Sequence, residues 1–117
     1  MTNKALGSQW GQWDLHVHTP LSLLQNYGGD TEQAWAKFIA DLRALPESFK
    51  VIGVNDYFFI DGYKKLLQAQ RAGQLPNIDL LLPVIELRLN HFAGASRDWA
   101  RINYHVVFSE EVGSDTI

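Results

Sequence analysis

A chain of 117 residues, 46% of them hydrophobic and 20% charged, has the composition of one globular domain and no room for two. Without cysteine it has neither a disulfide framework nor a thiolate metal site, so any metal must sit on histidine and carboxylate. The formal charge of −3 argues against a broad basic surface for gripping a nucleic-acid backbone, while leaving room for a small metal-centred phosphate pocket. No run approaches the length of a membrane span, and Lys4 ahead of Gly7-Ser8-Gln9 is not the start of a secretion signal, so a cytoplasmic location is expected.

Residues 1–11 read as an arm, and residues 12–117 as the domain proper. In Trp13-Asp14-Leu15-His16-Val17-His18-Thr19-Pro20, strand alternation places Asp14, His16 and His18 on one side and the apolar residues on the other. Two neutral imidazoles spaced in this way can reach one ion or two neighbouring ions. The alternative is a polar edge strand that happens to carry two histidines.

Residues 21–29 form a loop, with Gly28-Gly29 giving backbone freedom. A first helix is expected over 30–45, with Asp30 and Gln33 as a capping box, Ala34, Phe38, Ile39, Leu42 and Leu45 as its apolar stripe, and Pro46 as its stop. Residues 50–55 read as a strand covered on both faces. A loop over 56–60 leads to a second helix over 61–71, with Tyr63, Leu66 and Leu67 inward and Gly73 beyond its end. A third strand is expected over 80–87, beginning irregularly or lying near an edge because of Pro83. After a polar connection over 90–100, residues 102–108 form a fourth strand.

The order strand, helix, strand, helix, strand, loop, strand implies an α/β fold with parallel strands and right-handed crossovers, as an open sheet or a barrel wall. Ligands in such folds bind at the carboxyl ends of strands. His16, His18, Asp56 and Glu86 fall at such ends, and His105 lies inside its strand. A carboxylate in an apolar run, as at Glu86, is costly unless paired or metal-bound. His105, flanked by Val106 and Val107, reads either as a ligand or as a satisfied core histidine. Asp56 supports a ligand or caps a turn, and Tyr57, Phe58 and Phe59 point to packing more than to substrate stacking. His91 reads as surface, and Arg88, Arg97 and Arg101 as solvated.

Asp14-Leu15-His16-Val17-His18-Thr19 resembles the first motif of the PHP (polymerase and histidinol phosphatase) superfamily. Ile52-Gly53-Val54-Asn55-Asp56-Tyr57 resembles its second signature, Pro83-Val84-Ile85-Glu86 its glutamate-bearing element, and Asn103-Tyr104-His105-Val106-Val107 the histidine-bearing strand that follows. Asn55-Asp56-Tyr57-Phe58 with Gly62-Tyr63 is most similar to the PHP domains fused to TrlF-type AAA-like or SMC-like ATPases.

The resemblance implies a partial, distorted (β/α) barrel of about four mostly parallel strands and two main helices. It implies two or more divalent ions (zinc, manganese or iron) and a metal-dependent phosphoesterase acting on a phosphorylated substrate such as a nucleotide or a nucleic-acid end. Carried over by position, His16 and His18 would bind one ion, Glu86 would bridge ions and His105 would bind the second, so that these four carry catalysis. Asp14 would orient a ligand by accepting an imidazole N–H, with Asp56 and Tyr57 alongside.

Tyr57 stands where the family has a ligand histidine, and the stretch 21–24 offers only Ser22 where an acidic residue is expected. The later family motifs are missing, and a full eight-fold barrel needs roughly 250 residues. The chain therefore reads as the N-terminal portion of the domain, truncated or belonging to a larger ATPase-fused protein. The alternative is a catalytically inactive metal-binding or docking module that regulates an associated ATPase.

Overall fold

The computed structural model describes residues 10–95 and 97–117. Most of the arm expected over 1–11 lies outside the described residues. In chain order the elements are β1 (Gln12–Val17), α1 (Glu32–Arg43), β2 (Phe49–Asn55), α2 (Asp61–Arg71), β3 (Leu80–Ala93) and β4 (Ala100–Val107). The strands form one mixed sheet in the order β1-β2-β3-β4.

The first two pairings are parallel, as the alternation of strands and helices implies. β4 instead runs antiparallel to β3. A parallel return needs a crossover of a dozen or more residues, and the turn over 94–99 is far too short for one. β3 accordingly extends well past the expected residue 87, and the connection expected over 90–100 is partly its outer end.

Pro83 lies within this interior strand, paired with Val54, and not at an edge. Its carbonyl accepts the N–H of Phe108, just beyond the end of β4, with an N···O distance of 3.0 Å. In a strand, a residue's N–H projects to the same side as its C=O. Pro83 therefore stands opposite Phe108 just past the last ladder pair, Val84 with Val107, and its missing donor forfeits only the reciprocal bond at that end.

α1 starts later than expected because Thr31, and not Asp30, is its cap. The Thr31 hydroxyl accepts the Ala34 N–H at 3.1 Å. The Asp30 carboxylate accepts instead from the Trp35 indole at 2.7 Å and from Lys65 at 3.0 Å, which ties α1 to α2. Trp35, Phe38 and Leu42 of α1 and Tyr63 and Leu66 of α2 pack with Ile52, Val54 and Leu81 in one core cluster. Both helices thus cover one face of the sheet.

Strand alternation puts Asn55, Val84 and Glu86 on the opposite face. Side chains from β1 and β4 meet over that face: the ring centroids of His16 and His105 are 4.8 Å apart. Three strand spacings in a flat sheet would separate these strands by about 14 Å, so the sheet curls over the helix-free face. Among the described residues no helix is long and apolar enough to cross a membrane.

Candidate metal centre

β1 reaches the site through an irregularity. Asp14 pairs with Ile52 and Val17 with Val54, so two residues of β1 oppose Gly53 alone. The Leu15 backbone lies so close that a Cβ on Gly53 would sit 2.7 Å from the Leu15 Cα. The strict alternation expected along this strand therefore breaks. Asp14 leaves the imidazole row, and its Oδ1 accepts the backbone N–H of His16 at 3.0 Å instead of an imidazole N–H.

His16 and His18 still converge, with their Nε2 atoms 3.2 Å apart. The His16 Nε2 is 3.7 Å from the Glu86 Oε2, and the His105 Nε2 is 3.5 Å from the same oxygen. One nitrogen or oxygen from each of His16, Glu86 and His105 falls within 4.8 Å of the others. Three imidazoles and a carboxylate from β1, the residue just past it, β3 and β4 thus meet over the concave face. Imidazole nitrogen with a single carboxylate is a donor set suited to zinc, manganese or iron, and these residues fit such an ion.

Glu86 is only 7% exposed, yet it is neither alone nor unpaired. Its Oε2 accepts from the Asn55 side-chain amide at 3.0 Å, and its backbone N–H donates to the Tyr57 carbonyl at 3.0 Å. Asn55 also accepts the Tyr57 N–H at 3.3 Å. Tyr57 has a φ of 62°, a left-handed conformation that a bulky residue adopts only where its surroundings impose it. Its ring stacks on His18, with centroids 5.2 Å apart and planes at 27°.

The other nitrogen of His18, Nδ1, is 3.3 Å from the Ser22 hydroxyl. A histidine that directs Nε2 at an ion carries its proton on Nδ1, and Ser22 is placed to accept it. Asp56 is buried and is not one of the converging ligand groups; it accepts both the N–H (2.8 Å) and the hydroxyl (2.5 Å) of Thr19. This latch joins the segment after β1 to the end of β2. Burial pushes the Asp56 carboxyl above the ordinary carboxylate range, against the two Thr19 hydrogen bonds and His18, which pull it down. Gly62, in the first turn of α2, has no space for a Cβ, which would collide with Asp56 and Thr19.

Asn55, Ser22 and Thr19 are site residues that the sequence did not single out. The available signal was polarity: Asn55 ends an apolar strand, and Ser22 stands where an acidic residue was expected. His91 and the three arginines Arg88, Arg97 and Arg101 are exposed. In comparisons with known proteins the chain matches no family model, no curated protein and no solved structure.

Proposed function

We propose that this chain is a metal-dependent phosphoesterase domain of PHP type, forming the N-terminal part of a distorted barrel. His16, His18, Glu86 and His105 would hold a divalent zinc, manganese or iron. The observation that carries this reading is the convergence of His16, Glu86 and His105 from three strands, with both imidazoles turned to a single Glu86 oxygen and His18 beside His16. The ordered resemblance of four segments to PHP motifs supports it.

A divalent cation, when bound, polarises a phosphoryl oxygen and lowers the pKa of water. The chain's own residues do the positioning. Asn55 fixes the Glu86 carboxylate from behind, Ser22 fixes the tautomer of His18, and the Asp14 carboxylate holds the backbone of His16 in its bulge.

The test is elemental analysis of the chain purified under metal-replete conditions. Bound zinc, manganese or iron, lost in the double variant His16→Ala, His18→Ala, is the expected result, and a metal-free native chain would overturn the reading.

One observation favours a second reading, an inactive metal-binding module that docks on an associated ATPase. Tyr57 stands at the place of a ligand in the resemblance, and its ring is stacked on His18. Chelator-sensitive hydrolysis of an aryl phosphate supports the enzyme, and bound metal without turnover supports the docking module.

A further inference from the structure

On the helix-covered side of the sheet, away from the metal centre, a cleft of about 330 Å³ lies between α2 and the segment that follows β4. We infer that it seats a small zwitterion, a free α-amino acid with an apolar side chain. This goes beyond the phosphoesterase reading and does not rest on it.

The starting observation is Tyr63. Its residue is only 3% exposed and packs in the core cluster, yet its hydroxyl has no hydrogen-bond partner among the described residues and is not sealed off from solvent. The surface that it keeps lines the cleft. A polar group carried to the end of a buried ring calls for a partner, and the fold supplies none.

Two opposite charges share the same cleft. Arg71 and Glu110 both line it, and neither side chain has an ion-pair or hydrogen-bond partner among the described residues. Both act on the Tyr63 phenol, whose pKa burial raises above its ordinary value, Arg71 pulls down and Glu110 pushes up. The helix dipole accounts for a cation at Arg71, in the last turn of α2, but for neither Glu110 nor the unused hydroxyl. Gln70 donates its amide to the Ile78 carbonyl at 2.9 Å, which leaves its Oε1 as a further acceptor.

The rest of the lining is Leu67 and Leu81, and the volume stands at the small end of the roughly 300–1,000 Å³ usual for ligand sites. A lone anion would pair with Arg71 and be repelled by Glu110, and a lone cation would meet the reverse. A neutral sugar would use neither charge and would leave the leucines without an apolar face. An α-amino acid presents its carboxylate to the guanidinium and its ammonium to Glu110 and the Gln70 oxygen, with Tyr63 hydrogen-bonded beside them and the side chain against Leu67 and Leu81.

The test is an NMR titration of the whole chain with L-leucine in chelator-containing buffer, so that the ligand cannot report on a metal ion. Saturable shifts at Tyr63, Leu67 and Leu81 are expected. Isopentylamine, which is leucine without its carboxylate, and 4-methylpentanoate, which lacks its ammonium, should each bind about tenfold more weakly or worse, having lost one charge-assisted hydrogen bond. Arg71 and Glu110 are exposed positions that the fold tolerates changing. Arg71→Gln should weaken leucine by about tenfold and leave isopentylamine unchanged, and Glu110→Gln should weaken leucine by about the same factor and leave 4-methylpentanoate unchanged. Shifts confined to other residues, no saturation, equal affinity for the three compounds, or native affinity for leucine in either variant would overturn the inference.

Discussion

Glu86 and His105 are direct partners across the antiparallel β3–β4 ladder, and the His105 Nε2 lies 3.5 Å from the Glu86 Oε2. Residues directly opposite in such a ladder share a face, so this pairing by itself puts a carboxylate and an imidazole over the concave side. The same oxygen accepts from Asn55, which makes Asn55 the lever on the whole cluster.

Asn55→Ala removes that amide from a fully buried position. Metal affinity should fall by about 10- to 100-fold, as for other groups that orient a ligand from behind. Stability should also fall by about 1–3 kcal/mol, because the carboxylate loses a buried partner. Competition against a chromophoric chelator reads the first effect and urea unfolding the second. Unchanged metal affinity would remove Glu86 from the ligand set.

Gly53→Ala tests the bulge in β1. The added methyl would sit 2.7 Å from the Leu15 Cα, so the β1 backbone must move. A cost of about 1–3 kcal/mol is expected, as for other overpacked interiors. His16 follows Leu15 directly, so metal affinity should drop along with stability. A variant as stable as the native chain would show that β1 can shift freely.

Thr19→Val tests the latch. The substitution keeps the shape of the side chain but strips the hydroxyl from the buried Asp56 carboxylate, leaving only the backbone N–H. A loss of about 1–3 kcal/mol in urea unfolding is expected, that of a buried acceptor without its donor. A loss within experimental error would mean that water reaches Asp56.

Tyr27 supplies a pH signature. Burial first, then its hydrogen bond to Asp41 and the charge on that carboxylate, push its phenol from 10.0 to about 12. A group with a raised folded-state pKa stabilises the fold fully below its unfolded value and loses that contribution as pH rises through the folded one. The native chain should therefore lose stability between pH 10.0 and about 12, and Tyr27→Phe should lose less over the same window. Thermal midpoints of both proteins across that window provide the check, and identical slopes would contradict it.

Much of the fold was legible in residue patterns. The apolar run Val51–Val54 and the stripe Tyr63, Leu66, Leu67 are local signals, because strand and helix periodicity depend only on near neighbours. The convergence of His16 and His18 was legible for the same reason, since two positions along an extended chain return a side chain to the same side. Local choices between neighbours were less clear. Asp30 and Thr31 are both good caps, and the choice between them was made by Trp35 and Lys65, which hold the Asp30 carboxylate.

Tertiary structure alone decided the direction of β4, the place of Pro83 and the partners of the site. The turn over 94–99 is too short for a crossover, so Glu86 faces His105 as a ladder partner and not from a neighbouring parallel strand. Asn55 reaches Glu86 across 31 residues, and Thr19 reaches Asp56 across 37. Both meetings join neighbouring strands, β2 with β3 and the ends of β1 and β2, whereas His16 reaches His105 of β4 only through the curl of the sheet and the bulge in β1 opposite Gly53. Curvature is a property of packed strands together, and no stretch of residues read singly contains it.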